Sequence, residues 1–187
     1  GNPNLTCMDI AISLGMYISE RNSGNFKDAF ITFSENPELQ YLRGSLKSRL
    51  NQLRRAEWGM STNLEKVFNL ILTQAKNNNI TEEFMPTKIL ILSDMQFNQA
   101  NRRDSLGAQS MIEEMYSEAG YKVPDIIYWN LNAKGGNFPV EFDKNGTTLV
   151  SGFSPSILKS ILGGKNMTPE SILMETINDI RYSLVTI

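Results

Sequence analysis

Apolar residues recur at two spacings along the chain, and the spacing separates helices from strands. Residues 64–75 place apolar side chains at the i, i+3, i+4, i+7 positions of one helix face. Thr62 and Glu65 form a Thr-x-x-Glu capping box ahead of this pattern, so Thr62 is the predicted N-cap. Residues 88–93, Lys-Ile-Leu-Ile-Leu-Ser, are nearly continuously apolar. Such a run predicts a strand that is covered on both faces.

The remaining segments alternate between the same two patterns. Further helices are predicted at 5–20, 45–56, 105–119, 156–162 and from Thr168 onward. Further strands are predicted at 29–33, 39–42 and 125–131. Segments 139–142 and 147–151 flank Asn145-Gly146, a strong hairpin signal. The alternation predicts an α/β fold: a doubly wound, mostly parallel sheet with helices on both faces and an antiparallel edge hairpin near the C-terminus.

The helical spacing also predicts which side chains face the core. The first helix is apolar on several sides, so we expect it to be deeply buried. The helices at 45–56 and 105–119 should turn one apolar face inward, made of Leu46, Leu50 and Leu53 in the first and of Met111, Ile112, Met115 and Ala119 in the second. We also expect methionine to fill gaps in the core, at Met8, Met60, Met95, Met111 and Met115.

Composition narrows the range of functions. The 187 residues carry a net charge of −2, and no apolar run is long enough to span a membrane. The single cysteine, Cys7, permits no disulfide within the chain and fits an intracellular, cytoplasmic location. Two basic clusters, Arg49 with Arg54 and Arg55, and Arg102 with Arg103, are interpreted as solvated surface. We therefore expect no direct nucleic-acid binding and no membrane partner.

The chain contains no histidine. This absence excludes Ser-His and Cys-His catalysis and the usual zinc sites, although chemistry based on carboxylates, lysine or a hard metal ion stays open. Two polar clusters are candidates for such chemistry. Ser93 and Asp94 follow the strand at 88–93, while Ser61, Thr62 and Asn63 precede the clearest helix. Ligands of parallel sheets bind beyond the carboxyl ends of the strands, and hydroxyl and carboxylate oxygens suit Mg²⁺ or Mn²⁺.

These two clusters carry a family resemblance. The segment Trp58-Gly59-Met60-Ser61-Thr62-Asn63-Leu64 resembles the Gly-Gly-Thr-Asn-Ile loop of von Willebrand factor A domains, and Leu92-Ser93-Asp94-Met95 resembles their Leu-Thr-Asp-Gly. The resemblance implies a Rossmann-like domain whose divalent-cation site includes Thr62 and Asp94. Ser61 and Ser93 would support these ligands without contacting the ion. The general family pattern covers residues 5–132.

Longer phrases are closer to a little-characterised intracellular branch of plant, fungal and large-DNA-virus proteins. They are Glu57-Trp58-Gly59-Met60-Ser61-Thr62-Asn63, Ser93-Asp94-Met95-Gln96-Phe97, Tyr128-Trp129-Asn130-Leu131 and Leu149-Val150-Ser151-Gly152-Phe153-Ser154. This resemblance makes residues 1–187 a single domain. The family's first central strand, with its Asp-x-Ser-x-Ser ligands, is absent. Three explanations stay open: N-terminal truncation, which we favour because the chain starts at Gly1; a degenerate site; or a strand supplied by another molecule.

The resemblance implies a binding module and not an enzyme. In the intact domain, Mg²⁺ or Mn²⁺ would capture an acidic side chain of a partner protein. With only Thr62 and Asp94 present, we expect no tightly bound metal in this chain. Two alternatives remain. The domain could be the scaffold of an RNA-associated protein whose RNA-binding region lies upstream, or a metal-assisted hydrolase that uses Asp94.

Overall fold

The computed structural model describes residues 6–59, 63–93, 101–132 and 146–152, together with residues 158, 173–174 and 177–178; for residues 101–109 it describes only the helical backbone. The helices are α1 (Cys7–Arg21), α2 (Leu46–Arg55), α3 (Leu64–Asn77) and α4 (Asn101–Glu118), with a short 3-10 turn at Glu82–Phe84. The strands are β1 (Ala29–Ile31), β2 (Leu39–Tyr41), β3 (Lys88–Ser93), β4 (Asp125–Asn130) and β5 (Thr147–Ser151). The elements predicted at 139–142, at 156–162 and from Thr168 lie wholly or mostly outside these residues.

Three strands form a parallel sheet in the order β3-β4-β5. Lys88 pairs with Asp125 at one end of the β3–β4 ladder, and Ser93 pairs with Asn130 at the other. The mixed α/β class and the mostly parallel sheet are therefore confirmed. The hairpin prediction is tested only in part: β5, its second half, joins β4 in parallel, whereas its first half lies outside the described residues.

Helices cover both faces of this sheet, because the strands alternate apolar side chains between two cores. The larger core joins α3 and α4 to one face; its fully buried members include Phe68, Ala75 and Tyr116. The second core joins α1 to the opposite face through Leu14, Ile127, Trp129 and Val150. No helix in the described part of the chain combines the length and apolar character that crossing a membrane requires.

The other two strands, β1 and β2, pair with each other in antiparallel register. Their side chains pack against helices on both sides. Ile31 packs in the core of α3 and α4, and Phe30 packs on the side of α1, in a third core between α1 and α2. The hairpin therefore lies in the same layer as the parallel sheet. Within the described residues, however, no strand pairing joins the hairpin to β3. The layer consists of two separately hydrogen-bonded pieces.

An interior ion pair ties α1, α2 and β1 together. Arg49 of α2 donates from Nη2 to the carboxylate of Asp28 and to Oγ of Ser19 at 3.2 Å. Its Nη1 lies 3.8 Å from Glu20. Asp28 adopts a left-handed backbone conformation, with φ +63°, directly before β1. Arg49, predicted to be part of a solvated basic cluster, is instead an interior residue.

Several predicted core positions are wrong. Leu46 and Met111 are more than half exposed, and Met8 is also exposed; α1 has only three buried residues, Ile12, Leu14 and Ser19. Helix periodicity fixes which residues share a face, but contacts with other elements decide which part of that face is covered. In α4 the covered part centres on Ile112 and Tyr116, so Met111 lies at its edge. Met60 and Met95 lie outside the described residues.

Candidate functional site

Three polar residues end the three parallel strands in one row. The pairing register aligns Ser93 of β3 with Asn130 of β4, and Asn130 with Ser151 of β5. Parallel strands bring their carboxyl ends to the same edge of a sheet, which is where open α/β folds bind their ligands. The edge predicted from Ser93 therefore extends across the whole sheet.

The side chains of this row project toward the helical layer of α3 and α4. Successive side chains of a strand alternate between its faces. The residues two positions earlier, Ile91, Tyr128 and Leu149, all belong to the core that α3 and α4 cover. The polar row continues that face beyond the apolar core, so its oxygen and nitrogen atoms lie on the same side of the sheet as the start of α3.

Asn130 is the most buried polar residue of the row, with 1 % of its surface exposed. Its Oδ1 accepts a hydrogen bond from the backbone N–H of Asn132 at 2.9 Å. The backbone ladder also extends one step further on each side, since Leu131 N–H donates to the Ser93 carbonyl at 2.8 Å and Gly152 N–H donates to the Asn130 carbonyl at 3.1 Å. Sequence reasoning missed Asn130 and Ser151. The available signal was that each apolar strand ends in a polar residue, as β3 does.

The amino end of α3 begins one residue later than predicted. Asn63 is the N-cap, and its Oδ1 accepts from the backbone N–H of Lys66 at 2.9 Å. The prediction that Thr62 caps this helix in a box with Glu65 is therefore wrong. Asparagine caps helices as well as threonine does, and the Asn63 side chain bonds the Lys66 N–H, one position beyond the Glu65 N–H that Thr62 was expected to bond.

The loop before α3 is held against the segment that follows β1. Gly59 N–H donates to the Phe33 carbonyl at 2.6 Å, and Nζ of Lys66 donates to the Glu35 carbonyl at 2.7 Å. The approach is so close that a Cβ at Gly59 would lie 2.8 Å from Cα of Ser34, which explains why only glycine fits. The carboxyl end of β1 and the amino end of α3 thus form one packed unit.

Two buried polar residues, Thr32 and Ser34, lie at this end of β1. Together with Asn130 they account for three of the four buried polar residues found in the described part of the chain. The first residue of α3, Leu64, packs in the same core as Ile91, which lies two residues before the end of β3. The other end of α3 lies beside the start of the strands, because the Tyr121 hydroxyl, just before β4, donates to the Ile80 carbonyl, just after α3, at 2.7 Å. The start of α3 therefore lies toward the carboxyl ends of the strands.

The structure describes one of the four residues predicted at the metal site. Ser93 lies at the carboxyl end of β3, whereas Ser61, Thr62 and Asp94 lie outside the described residues. Their immediate neighbours, Asn63 and Ser93, both lie at the edge described above. Among the described residues, no three acidic or sulfur ligands come together to form a metal site. The described part of the edge offers hydroxyl and amide oxygens, which can join carboxylates and waters as ligands of a hard cation.

The perturbed ionisable groups lie away from this edge. Burial raises the pKa of Tyr116 and of Tyr128, and both are core residues. The hydroxyl of Thr6, and after it the Thr6 backbone N–H, lower the pKa of Asp9 at the start of α1, with a smaller contribution from the charge of Arg54. These shifts follow from core packing and helix capping. Within the described residues they do not indicate an acid–base pair at the polar row.

Comparison with known proteins gives a family. A family model described as "Domain of unknown function (DUF7788)" matches residues 2–181. The chain belongs to this family. A similar protein, "Uncharacterized protein L728" of Acanthamoeba polyphaga mimivirus, is 35 % identical over 175 residues. The DUF7788 match covers the row-forming strands and the loop before α3 together.

The mimivirus relative comes from a large DNA virus, one of the sources named by the closer resemblance. The match covers 91 % of this chain but only 30 % of the relative, so the chain spans about a third of that protein's length. No solved structure matches the chain. Membership of the DUF7788 family therefore rests on sequence similarity, and no solved structure of a relative supports the fold described above.

Proposed function

We propose that this chain is a protein-binding module of the von Willebrand factor A type, with a Mg²⁺ or Mn²⁺ site at the carboxyl edge of its parallel sheet. The observation that carries the proposal is the direction of α3 on the sheet: its end is bonded beside the start of β4 through Ile80 and Tyr121, so its start lies toward the carboxyl ends of the strands. Thr62 precedes α3 by two residues and Asp94 directly follows β3. A hydroxyl and a carboxylate from these two positions suit a hard cation.

The gap in the strand layer supports the finer fold assignment. β1–β2 and β3–β4–β5 pack against helices on both sides, but no hydrogen-bonded ladder joins them among the residues that the structure describes. Open strand edges leave backbone groups that require partners. We infer that one further extended strand lies between β1 and β3, supplied by a segment that is not among the described residues. In the family resemblance this strand carries the Asp-x-Ser-x-Ser ligands, which residues 1–187 do not contain.

The function of the ion would be recognition. A cation held by Thr62, Asp94 and the additional strand keeps a coordination position for a ligand from outside, and a carboxylate of a partner protein fills it. Ser61 and Ser93 would position Thr62 and Asp94 by hydrogen bonding. A hydroxyl ligand such as Thr62 adds no negative charge, so it leaves more positive charge at the ion than a carboxylate ligand would. This charge favours an acidic partner over a neutral one.

Calorimetric titration of Mn²⁺ into the full-length protein and into this 187-residue chain tests the proposal. The full-length protein should bind one ion, and Asp94→Asn should abolish that binding. Asp125→Asn is the matched control, because Asp125 is an exposed carboxylate at the opposite end of the sheet. Absence of binding in the full-length protein, or equal binding by both variants, would overturn the metal site.

A further inference from the structure

The segment from Leu39 to Ala56 concentrates positive charge in an acidic chain. The whole chain has 18 basic and 20 acidic residues, yet this segment contains no Asp or Glu and five basic residues, which are Arg43, Lys47, Arg49, Arg54 and Arg55. The segment comprises β2 and α2. Its local charge is therefore opposite in sign to that of the chain.

The structure separates these five residues into two groups. Arg49 turns inward to Asp28, and only 14 % of its side-chain surface is exposed. The other four are exposed, and the ion pairs found among the described residues involve none of them. Arg54 is near enough to Asp9 to contribute to that carboxyl's lowered pKa, after the larger effect of Thr6, but it forms no ion pair with it. Four cations thus remain on the surface for an external anion.

Hydrogen bonds fix the backbone of Arg43 and the indole of Trp58 at the two ends of this surface. Gln52 fixes the backbone of Arg43 against α2: its Nε2 donates to the Arg43 carbonyl at 2.7 Å, and its Oε1 accepts from Arg43 N–H at 3.2 Å. At the other end of α2, Nε1 of Trp58 donates to the Leu53 carbonyl at 3.0 Å. Groups that are ordered before binding lose less entropy when a ligand arrives.

Trp58 adds an aromatic surface beside these cations. Trp58 is 42 % exposed. Its indole N–H is bonded to the last turn of α2, where Arg54 and Arg55 lie. This bond fixes the position of the indole while part of the residue stays exposed to solvent. Placement of Arg54 and Arg55 near the negative helix end is favourable in itself, but that effect does not account for Arg43, Lys47 or the exposed indole.

We propose that the α2 surface, formed by Arg43, Lys47, Arg54, Arg55 and Trp58, binds single-stranded nucleic acid. Cations that follow a phosphate backbone, next to an aromatic side chain on which a base stacks, are the features of such sites. An anionic membrane fits less well, because the exposed face of α2 carries one large apolar residue, Leu46, and interfacial helices bury a broad apolar face. This surface differs from the expectation drawn from net charge, and it uses none of the residues of the proposed metal site.

Fluorescence anisotropy with a fluorescein-labelled oligouridylate and the full 187-residue chain tests the proposal. If three to four phosphates are neutralised, the logarithm of the association constant should fall against the logarithm of salt concentration with a slope of about −2 to −3. Oligodeoxythymidylate, polyglutamate and phosphatidylserine vesicles serve as competing anions. Competition by polyglutamate or vesicles equal to that by unlabelled oligouridylate would overturn the assignment to nucleic acid.

Charge-matched variants locate the surface. The triple variant R43Q/R54Q/R55Q should weaken binding at least about tenfold, since each lost phosphate contact removes part of a dominant electrostatic attraction. The control K27Q/K76Q/K122Q removes the same charge from exposed lysines elsewhere and should change affinity less than about threefold. Equal weakening by the two triples would show that net charge, and not α2, determines binding. Equal thermal midpoints confirm that both variants are folded.

Intrinsic fluorescence tests the aromatic contact independently. The chain has two tryptophans, and the second, Trp129, is fully buried with its Nε1 bonded to the Gly152 carbonyl at 2.7 Å. Base stacking on Trp58 should quench the emission of the chain. Trp58→Leu should abolish this quenching and weaken binding about tenfold, whereas Trp58→Phe should retain most of the affinity. Quenching that persists in Trp58→Leu would overturn the stacking role.

Discussion

The Arg49–Asp28 ion pair should be the largest single polar contribution to stability in the described part of the chain. We consider Arg49→Met, which keeps a long, helix-compatible side chain but removes the charge and both Nη groups. The substitution leaves the Asp28 carboxylate without its cation and removes the hydrogen bond from Nη2 to Ser19, 3.2 Å long. It also removes a guanidinium Nε that has no hydrogen-bond partner, which slightly reduces the loss.

The exposure of the pair sets the magnitude. Breaking a fully buried ion pair by removing one partner costs about 3–5 kcal/mol. Here 14 % of the Arg49 side chain and 23 % of the Asp28 side chain remain exposed, so water partly solvates the carboxylate that is left behind. We therefore expect a loss of about 2–3 kcal/mol in the free energy of unfolding. In a domain of this size that loss lowers the thermal midpoint by about 5–10 °C.

Urea unfolding followed by tryptophan fluorescence measures this loss, provided that the m-value is unchanged. Arg54→Met is the matched control, because Arg54 is exposed on the same helix without an ion pair among the described residues. It should change stability by less than about 0.5 kcal/mol. Equal effects of the two substitutions would refute the assignment of Arg49 to the interior.

A double-mutant cycle with Asp28→Asn isolates the charge interaction. Asn tolerates the left-handed backbone that Asp28 adopts, with φ +63°, so this substitution changes the charge and little of the backbone energy. The double variant with Arg49→Met should be more stable than the sum of the single effects predicts, by about 1–2 kcal/mol. Additive effects would show that Arg49 stabilises the structure through packing alone.

Three further predictions follow from contacts of the core and of the site edge. Tyr116→Phe removes a buried hydrogen bond of 3.1 Å to the Phe68 carbonyl and should cost about 1 kcal/mol in urea unfolding; no loss would contradict that bond. Asn63→Ala removes the N-cap of α3 and should cost about 1 kcal/mol, whereas Asn63→Ser should cost little, as measured by thermal denaturation. Gly59→Ala places a Cβ 2.8 Å from Cα of Ser34 and should destabilise the chain by about 1–3 kcal/mol; a neutral result in calorimetry would mean that this loop moves freely.

The sequence predicts the strands of the parallel sheet better than the faces of the helices. The continuous apolar run at Lys88–Ser93 has the bounds of β3, and the strand predicted from Asp125 differs from β4 by one residue. A continuous apolar run of this kind fits a buried strand, and its shortness favours a strand over a buried helix. A helix face offers more apolar positions than its neighbours cover, which is why Leu46 and Met111 are exposed.

Local patterns also fail where the partner of a polar group is distant in sequence. Tyr116 bonds to a carbonyl 48 positions away, and Arg49 bonds to Asp28, 21 positions away. Neither partner is visible in the periodicity of α4 or α2. Asn130 could have been recognised as a strand-end residue like Ser93, because both follow apolar runs, but the register that aligns them is set by the tertiary fold.

The buried polar residues in the described part of the chain lie in two places, at the start of β1 and around the carboxyl ends of the strands. Ser19 belongs to the ion-pair cluster around Asp28, directly before β1. Thr32 and Ser34 lie at the opposite end of β1, and Asn130 lies in the polar row at the carboxyl edge of the parallel sheet. Burying a polar group is unfavourable unless it gains a partner. At the first end the chain supplies the partner itself, through Arg49, so substitutions there should change the free energy of unfolding. At the carboxyl edge the chain also supplies a partner, since Asn130 Oδ1 accepts from Asn132 N–H at 2.9 Å, so Asn130→Ala should lower the free energy of unfolding in urea even when no ion is present.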